Sequence, residues 1–259
     1  MALDRYTEYP PTDRPLLEGG PFEAGYIAVH PFFEISGVDP ALSDYGTVIV
    51  HRTQYAEDSI DEILEQIDVS GKGRIAADTV AVLAKARGRL LLWKEIGAAT
   101  GLRTFSSLNR ALLTTIGALR KQYEDRETAS RIQDYCRMRQ IFMPTEGQIQ
   151  PTMERQIASL FRKAGVQELE VAGEFDKTGV AIDVSVLQGD QPWNITGLKH
   201  RPTRLYALDR SLLVAVDWDS FFTFVAGKRA RLRRSEIESD FEGFACSSET
   251  LQDWWREDA

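Results

Sequence analysis

The segment TRLYALDRSLLVAVDWDSFFTFVAG, residues 203–227, decides the fold of this chain. It contains two apolar runs with the composition of β-strands, TRLYAL at 203–208 and SLLVAV at 211–216. Because Asp209 and Arg210 alone separate these runs, they predict a tight antiparallel hairpin, although the pair lacks the glycine that a two-residue turn favours.

The same segment continues through two aspartates into an aromatic run. If one strand passes through them, successive side chains alternate between the two faces of a sheet. One face would carry Val214, Val216, Trp218, Ser220, Phe222 and Phe224, and the other would carry Asp217, Asp219, Phe221 and Thr223. We therefore predict that this part is the last central strand, with a turn or a helix cap at Asp219 as the alternative.

Other β-type runs lie on both sides of a long helical middle section. The further predicted strands cover residues 26–35, 46–51, 167–175 and 180–187. The predicted helices cover residues 77–87, 90–99, 105–123, 126–141 and 152–164, and a further helical pattern begins at Ser59.

This order of elements predicts an α+β fold with a mostly antiparallel sheet built from N-terminal and C-terminal strands. We expect one α+β domain over residues 26–259, with a helical insertion at about 59–165. Residues 1–25 are rich in Pro, Gly and acids, which predicts an irregular N-terminal arm.

The composition is that of a globular protein, with 43% hydrophobic and 27% charged residues, and the chain is long enough to bury a full core. The longest apolar stretches are far too short to span a bilayer, and the first residues have acids where a signal peptide needs bases and then apolar residues. These features predict a cytoplasmic location and no membrane partner.

The net charge of −8 conceals a separation of the two signs along the chain. Residues 1–79 carry 15 acids against 5 bases, whereas residues 85–121 carry 8 bases against Glu95 alone. A second basic cluster, GKRARLRR at 227–234, is followed by a tail with eight acids against Arg256. Either the acidic and basic blocks pair with each other within the fold, or a basic block faces an anionic partner.

Residues 93–121 are similar to a helix-turn-helix, because a short helix, a turn at Gly101 and a second helix follow one another. The local excess of bases favours contact with phosphates or base edges. Two packed helices joined by a short loop are the alternative interpretation. The candidate nucleic-acid contacts are Arg103, Ser106, Asn109 and Arg110.

Asp217 and Asp219 form a DxD pattern after an apolar run, which several enzyme classes use to hold a divalent metal. Companion motifs are missing, since no Gly-rich phosphate loop precedes the pair and 40 residues follow it. We therefore assign no metal site and no cofactor. A metal-dependent transferase or hydrolase that uses Asp217 and Asp219 is the third functional alternative.

The histidines and cysteines give no catalytic pattern. His30, His51 and His200 accompany neither a GxSxG elbow nor an HExxH motif. Cys136 and Cys246 form neither a disulfide framework nor a zinc-ligand spacing. We assign no catalytic residue and favour a protein without enzymatic activity.

Trp254 and Trp255 lie in the acidic tail, within a predicted short terminal helix. Paired tryptophans beside acids suit an anchor in a protein interface with a polar rim. Docking of the tail into its own domain is the alternative.

The segment WKEIGAATGLRTFSSLNRALLTTIGALRKQY, with HPFF upstream and DSFFT downstream, resembles a family of bacterial proteins classed as a domain of unknown function. The matching pieces are a Trp-x-Glu-Ile element at 93–96, a Gly-Leu turn at 101–102, and a Thr-x-Ile-Gly-Ala-Leu-Arg pattern at 115–120 that is shifted by one position. The resemblance implies an intracellular bacterial protein without an assigned reaction or catalytic residues.

Three functions follow from these features, in order of preference. The first is a non-enzymatic cytoplasmic protein that binds a macromolecular partner, in the manner of a small inhibitor or immunity protein. The second is a nucleic-acid-binding regulator that uses residues 93–121, and the third is the metal-dependent enzyme described above.

Overall fold

The computed structural model describes residues 15–46, 74–173, 176, 178–192 and 202–256. Outside these ranges lie most of the predicted strand at 46–51, the start of the helical pattern at Ser59, and the histidines His51 and His200.

The described strands form one large sheet and one small one. They are β1 (Ala24–Val29), β2 (Phe32–Glu34), β3 (Arg89–Leu91), β4 (Glu168–Gly173), β5 (Val180–Asp183), β6 (Pro202–Ala207), β7 (Leu212–Ala215), β8 (Phe222–Gly227) and β9 (Gly243–Ala245). Seven of them make an antiparallel sheet in the order β5-β4-β6-β7-β8-β1-β9, and β2 pairs with β3. Because β1 lies between β8 and β9, N-terminal and C-terminal strands share one sheet.

The described helices lie mostly in the middle of the chain. They are α1 (Ala77–Arg87), α2 (Trp93–Thr100), α3 (Phe105–Thr115), α4 (Arg126–Arg139), α5 (Glu154–Lys163), α6 (Arg229–Ser235) and α7 (Ile237–Asp240). The strands at both ends and the helical middle confirm the predicted α+β class. None of the described helices is long and apolar enough to cross a membrane.

The predicted hairpin at 203–216 is present as β6 and β7, which pair antiparallel with Leu205 opposite Val214. Its turn has no glycine, and Arg210 itself adopts a positive φ of 56°. The carboxylate of Asp209 accepts hydrogen bonds from the backbone and the hydroxyl of Ser211, which fixes the turn. Side-chain hydrogen bonding therefore replaces the glycine that the turn type favours.

The prediction of one strand through Asp217 and Asp219 was wrong, and the alternative, a turn at Asp219, is present. β7 ends at Ala215, the chain turns, and it returns as β8, which pairs antiparallel with β7. Within the turn, the amide of Ser220 donates to the carbonyl oxygen of Asp217 at 3.0 Å. Because of this turn, the alternation of side chains in β7 does not continue into β8, and Val214 and Phe224 belong to different core clusters.

Helices cover both faces of the large sheet, which is the reason its strands read as apolar on both sides. On one face, Ile27 and Phe224 pack in a cluster with Trp93 and Leu112 of α2 and α3. On the other face, strand residues such as Leu205, Val214 and Val225 pack in a cluster with residues of α5, α6 and α7. The first cluster is the one that positions the candidate site.

The helix predicted over 105–123 ends at Thr115. Gly117 adopts a positive φ of 65°, and the amide of Ala118 donates to the carbonyl oxygen of Leu113 at 3.1 Å. This is the usual hydrogen bonding at a glycine that follows a helix end. The chain then passes through a loop to α4.

The C-terminal tail and the described part of the N-terminal arm pack on the same side of the molecule. Pro15 forms a bridge with Leu251, and the side chain of Leu16 is buried in the core. The tail has a short 3-10 helix at Trp254–Arg256 in place of the predicted α-helix.

Candidate functional site

A pocket of about 440 Å³ opens where the turn between α2 and α3 faces Phe244 of β9 and Trp254 of the tail. We call it the turn pocket, and its volume lies within the range of small-ligand sites. Its aromatic members are Trp93, Phe105, Phe244 and Trp254, and its polar side chains are Lys94, Arg103, Thr104 and Ser106.

The four aromatic rings of the turn pocket contact one another in a chain. Trp93 meets Phe105 edge to face at 6.1 Å between ring centroids, and Trp254 meets Phe244 edge to face at 5.0 Å. Phe105 and Phe244 join these two pairs with nearly parallel planes, 22° apart, and a centroid distance of 6.0 Å. Since Phe105 and Phe244 are half-buried, the pocket offers aromatic surface to a ligand.

Two glycines shape the turn that forms this pocket. Gly101 ends α2 with a positive φ of 80°. The amide of Leu102 then donates to the carbonyl oxygen of Gly97 at 2.8 Å. A Cβ at Gly97 would lie 2.8 Å from the carbonyl oxygen of Leu102, so a larger residue there would push the turn outward.

The first residues of α3, together with its N-cap, line the polar side of the pocket. Thr104 is the N-cap, and its hydroxyl oxygen accepts from the amide of Ser107 at 3.1 Å. Within the described chain, the amides of Phe105 and Ser106 find no acceptor. These two donors carry the partial positive charge of a helix N-terminus.

The N-terminus of α2 shows what such donors do when an acid is near. The carboxylate of Glu242 accepts hydrogen bonds from the amides of Trp93 and Lys94, at 2.5 and 3.0 Å. The side chain of Glu95 accepts from the amide of Leu92 at 2.8 Å. Both acids are therefore engaged by the N-terminus of α2.

Two cations complete the polar side of the turn pocket. Lys94 and Arg103 are exposed, and neither forms an ion pair with another residue of the described ranges. Two cations and two amides that lack a partner among the described residues therefore line the same pocket and favour an anion there.

The structure separates the four predicted nucleic-acid contacts. Arg103 and Ser106 line the turn pocket, whereas Asn109 is 1% exposed and Arg110 lies 3.5 Å from the carboxylate of Asp125. Every residue of α3 is buried or half-buried. A recognition helix needs an exposed face to enter a DNA groove, and α3 does not present one.

The two tryptophans of the tail are buried, with exposed fractions of 3% for Trp254 and 6% for Trp255. Trp255 contacts Tyr123 edge to face at 5.7 Å, and the guanidinium of Arg256 lies 5.0 Å above the ring of Tyr123. The tail is thus docked on its own domain, and in this arrangement neither indole faces outward to a partner.

Asp217 and Asp219 lie in the turn between β7 and β8, where the side-chain amide of Gln252 donates to Asp217. Trp218 between them is 61% exposed. Over the ranges that the structure describes, no three side chains of His, Cys, Asp or Glu come together in a group able to hold a metal ion.

His30 is fully buried at the end of β1. Its Nδ1 lies 3.2 Å from the carbonyl oxygen of Thr145, and its Nε2 lies 3.0 Å from the hydroxyl oxygen of Thr223. Because a carbonyl only accepts, Nδ1 carries the proton and Nε2 accepts from the hydroxyl. Burial lowers the pKa of His30 to about 4, against a smaller opposing effect of the Thr145 carbonyl.

Sequence reasoning missed a buried ion pair between Lys85 of α1 and Glu154 of α5. Both side chains are almost completely inaccessible, and the Lys85 ammonium also donates to the carbonyl oxygen of Gln191 at 2.8 Å. No local pattern connects these positions, because they are far apart in the chain.

The basic cluster at 227–234 is partly neutralised within the fold. The guanidinium of Arg231 donates to the carbonyl oxygen of Ala164 and lies 3.2 Å from the carboxylate of Asp209. Arg229 donates its amide to the carboxylate of Glu23 at 3.1 Å.

Comparison with protein-family models matches residues 81–256 to the family described as "Protein of unknown function (DUF2711)". The match covers more than half of the chain and includes residues 93–120, so it confirms the predicted resemblance to a family without an assigned function. No curated protein and no solved structure gave a significant match to the chain.

Proposed function

The chain belongs to this family of proteins of unknown function, and from that premise we propose that it is a non-enzymatic binding protein whose contact site is the turn pocket. The pocket accepts an anionic group attached to a flat apolar body. A cytoplasmic location is part of the same proposal.

One observation carries this proposal. The side chains of Lys94 and Arg103 and the amides of Phe105 and Ser106 have no acceptor among the described residues, and all of them belong to one aromatic pocket. Hydrogen bonds from charged donors to an anion are about twice as strong as those between neutral groups. Aromatic rings beside them add contact area for a flat apolar body.

The composition of the pocket supports binding rather than catalysis. Its described lining contains no His, Cys, Asp or Glu. The hydroxyls of Thr104 and Ser106 therefore have no adjacent base to activate them for nucleophilic attack. Fixed donors and aromatic surface are sufficient for recognition.

A macromolecular partner, as an inhibitor-like role requires, would place an acidic side chain or a phosphate in the turn pocket. The nucleic-acid alternative is favoured by one specific observation, which is that Arg103 and Ser106 share this pocket with aromatic rings. Aromatic rings beside cations are typical of sites for single-stranded nucleic acid.

The proposal is tested with 8-anilinonaphthalene-1-sulfonate, a fluorescent aromatic anion. We expect saturable binding to the wild type, and about tenfold weaker binding to the double variant Lys94→Gln with Arg103→Gln, which corresponds to ~1.4 kcal/mol. The matched control, Arg120→Gln with Lys121→Gln, removes two charges from exposed positions outside the pocket and should bind like the wild type. Equal affinity in all three proteins would contradict the proposal.

A further inference from the structure

We propose that β9 binds an extended segment of a partner protein, which adds a strand to the edge of the large sheet. β9 (Gly243–Ala245) is the last strand in the order of the sheet, so β1 lies on one side of it and no described strand lies on the other. This partner is the macromolecule of the proposed function, on which the inference therefore rests, and one of its side chains would enter the turn pocket.

Two hydrogen bonds at the ends of β9 fix the direction of its backbone groups. The amide of Val29 donates to the carbonyl oxygen of Glu242 at 3.0 Å, and the amide of Cys246 donates to the carbonyl oxygen of Gly25 at 2.9 Å. In an antiparallel pair, residues whose backbone groups point to the partner strand alternate with residues whose groups point away. The carbonyl of Glu242, the backbone of Phe244 and the amide of Cys246 therefore point to β1.

Gly243 and Ala245 point their backbone groups in the opposite direction. A trans peptide holds its C=O and N–H antiparallel, so the N–H and C=O of both residues are directed away from β1. Among the described residues, none of these groups has a hydrogen-bond partner. Ala245 is exposed, and Gly243 is half-buried. Two donors and two acceptors with the spacing of a strand match the backbone of an added extended segment.

A pocket lies on each face of the sheet beside this edge. Phe244 lines the turn pocket, on the face that α2 and α3 cover. A second pocket of about 700 Å³, which we call the edge pocket, lies on the opposite face. Because successive side chains of a strand point to opposite faces, an added strand would place one side chain in the turn pocket and the next in the edge pocket. The edge pocket is lined by Tyr26 and Ala245 of the sheet and by Leu232, Arg233, Ile237 and Glu238 of α6 and α7.

The residues around the edge indicate the chemistry of the added segment. β9 contains no charged residue, whereas β5, at the opposite edge of the sheet, ends at the exposed Asp183. Charged side chains are a common protection of sheet edges against pairing with another chain. Leu232 and Ile237 offer apolar contacts in the edge pocket. We therefore expect a segment with an apolar side chain toward the edge pocket and an acidic one toward Lys94 and Arg103.

The probe is a displayed library of random linear peptides, from which binders of the wild type are selected and made with a fluorescent label. Ala245→Pro removes the outward N–H of this residue and keeps the hydrogen bonds between β9 and β1. Ala181→Pro, the matched control, makes the same change on β5, at an exposed residue whose N–H also points away from the sheet. We expect Ala245→Pro to weaken the selected peptides by about tenfold or more, and Ala181→Pro to leave their affinity unchanged.

Hydrogen exchange gives a readout that mere filling of a pocket would not change. A bound peptide should slow the exchange of the amides of Gly243 and Ala245, because an added strand gives them acceptors. The amide of Phe244 should change little, since it already points to β1.

Three results would overturn the inference. The first is a library without a binder of the wild type, and the second is a set of peptides that bind Ala245→Pro as tightly as the wild type or leave the amides of Gly243 and Ala245 unprotected. The third is a wild-type dimer in analytical ultracentrifugation that Ala245→Pro dissociates, which would assign the edge to a second copy of the chain. Should Ala245→Pro not fold, Ala245→Lys replaces it, and the charge that it places at the edge should cause the same loss of binding.

The dye experiment separates this inference from the proposed function. If Lys94→Gln with Arg103→Gln weakens the dye but no peptide depends on Ala245, the added strand is ruled out and the proposed function stands. If peptides depend on Ala245 but the dye binds all variants equally, the strand site stands and the turn pocket is not the contact site.

Discussion

The region around α5 and the turn pocket use cations in opposite ways. Around α5, Lys85 is buried against Glu154, and Lys163 lies 2.9 Å from the carboxylate of Asp240. In the turn pocket, Lys94 and Arg103 are exposed and have no ion-pair partner in the described ranges. Cations of the first region stabilise the fold, whereas those of the second are available to a ligand. Charge counted along the sequence does not separate them, because Lys85 and Lys94 belong to the same basic block.

The largest expected effect is on stability, at Lys85. Lys85→Met removes the ammonium that pairs with the buried carboxylate of Glu154, and loss of one member of a buried pair costs about 3 to 5 kcal/mol. We expect a decrease of this size in the free energy of unfolding, measured by urea denaturation. Lys121→Met, at an exposed position, is the matched control and should have little effect.

A second variant sharpens this prediction. Replacement of both partners, Lys85→Met with Glu154→Leu, removes the buried charges together and should recover most of the lost stability. If Lys85→Met alone unfolds at the same urea concentration as the wild type, the distinction between the two regions fails.

The next effect concerns His30, whose backbone carbonyl accepts a hydrogen bond from the indole of Trp93 in the turn pocket at 2.6 Å. Because burial lowers the pKa of His30 to about 4, the folded state stays neutral while the unfolded state gains a proton near pH 6.5. Stability from this group is therefore complete above pH 6.5 and is lost as the pH falls toward 4, by ~1.4 kcal/mol per pH unit.

The measurement is the free energy of unfolding at pH 7 and at pH 5, for the wild type and for His30→Gln. The wild type should lose about 2 kcal/mol more than the variant between these values, since the other titrating groups are common to both. Identical pH dependence in the two proteins would show that His30 is protonated in the folded state.

A smaller effect is expected at Arg231, which belongs to the paired region. Arg231→Gln removes an ion pair with Asp209 and a hydrogen bond to the carbonyl of Ala164 at the end of α5. Partly exposed contacts of this kind contribute about 1 kcal/mol, so we expect a modest decrease in the thermal midpoint. Arg233→Gln, on the exposed side of α6, is the control.

The smallest expected effect on stability is at the two cations of the turn pocket. Lys94→Gln with Arg103→Gln should leave the free energy of unfolding within about 0.5 kcal/mol of the wild type, because surface substitutions away from specific contacts have little effect. Differential scanning calorimetry provides the measurement. A loss as large as that of Arg231→Gln would mean that these cations support the fold.

Part of the fold could be predicted from local patterns, and part could not. The β6–β7 hairpin could be predicted because only two residues separate two apolar runs. The turn at 217–220 was only the alternative prediction, because the sheet is covered on both faces. Both sets of alternating positions are therefore apolar, and the sequence does not show which residues of a strand face which side. The end of α3 was missed, although Gly117 carries the usual signal.

Part of the candidate site could likewise be predicted from the sequence, and part could not. The proximity of Arg103 and Ser106 could be predicted, because they lie close together in sequence at one turn between two helices. The burial of Asn109 could not be predicted from its polar side chain, which occupies an inner position of α3. Phe244 and Trp254 could not be predicted as members of the pocket, because only the folded chain brings them beside α2.

The position of β1 between β8 and β9 has a consequence for synthesis on the ribosome. β1 finds its two neighbours only after residues 222–245 have been translated, and its apolar residues need shielding until then. Pairing over such a distance in sequence also slows folding. A nascent chain that is released early lacks Phe244, Trp254 and the partners of β1, so it is a target for chaperones or proteases.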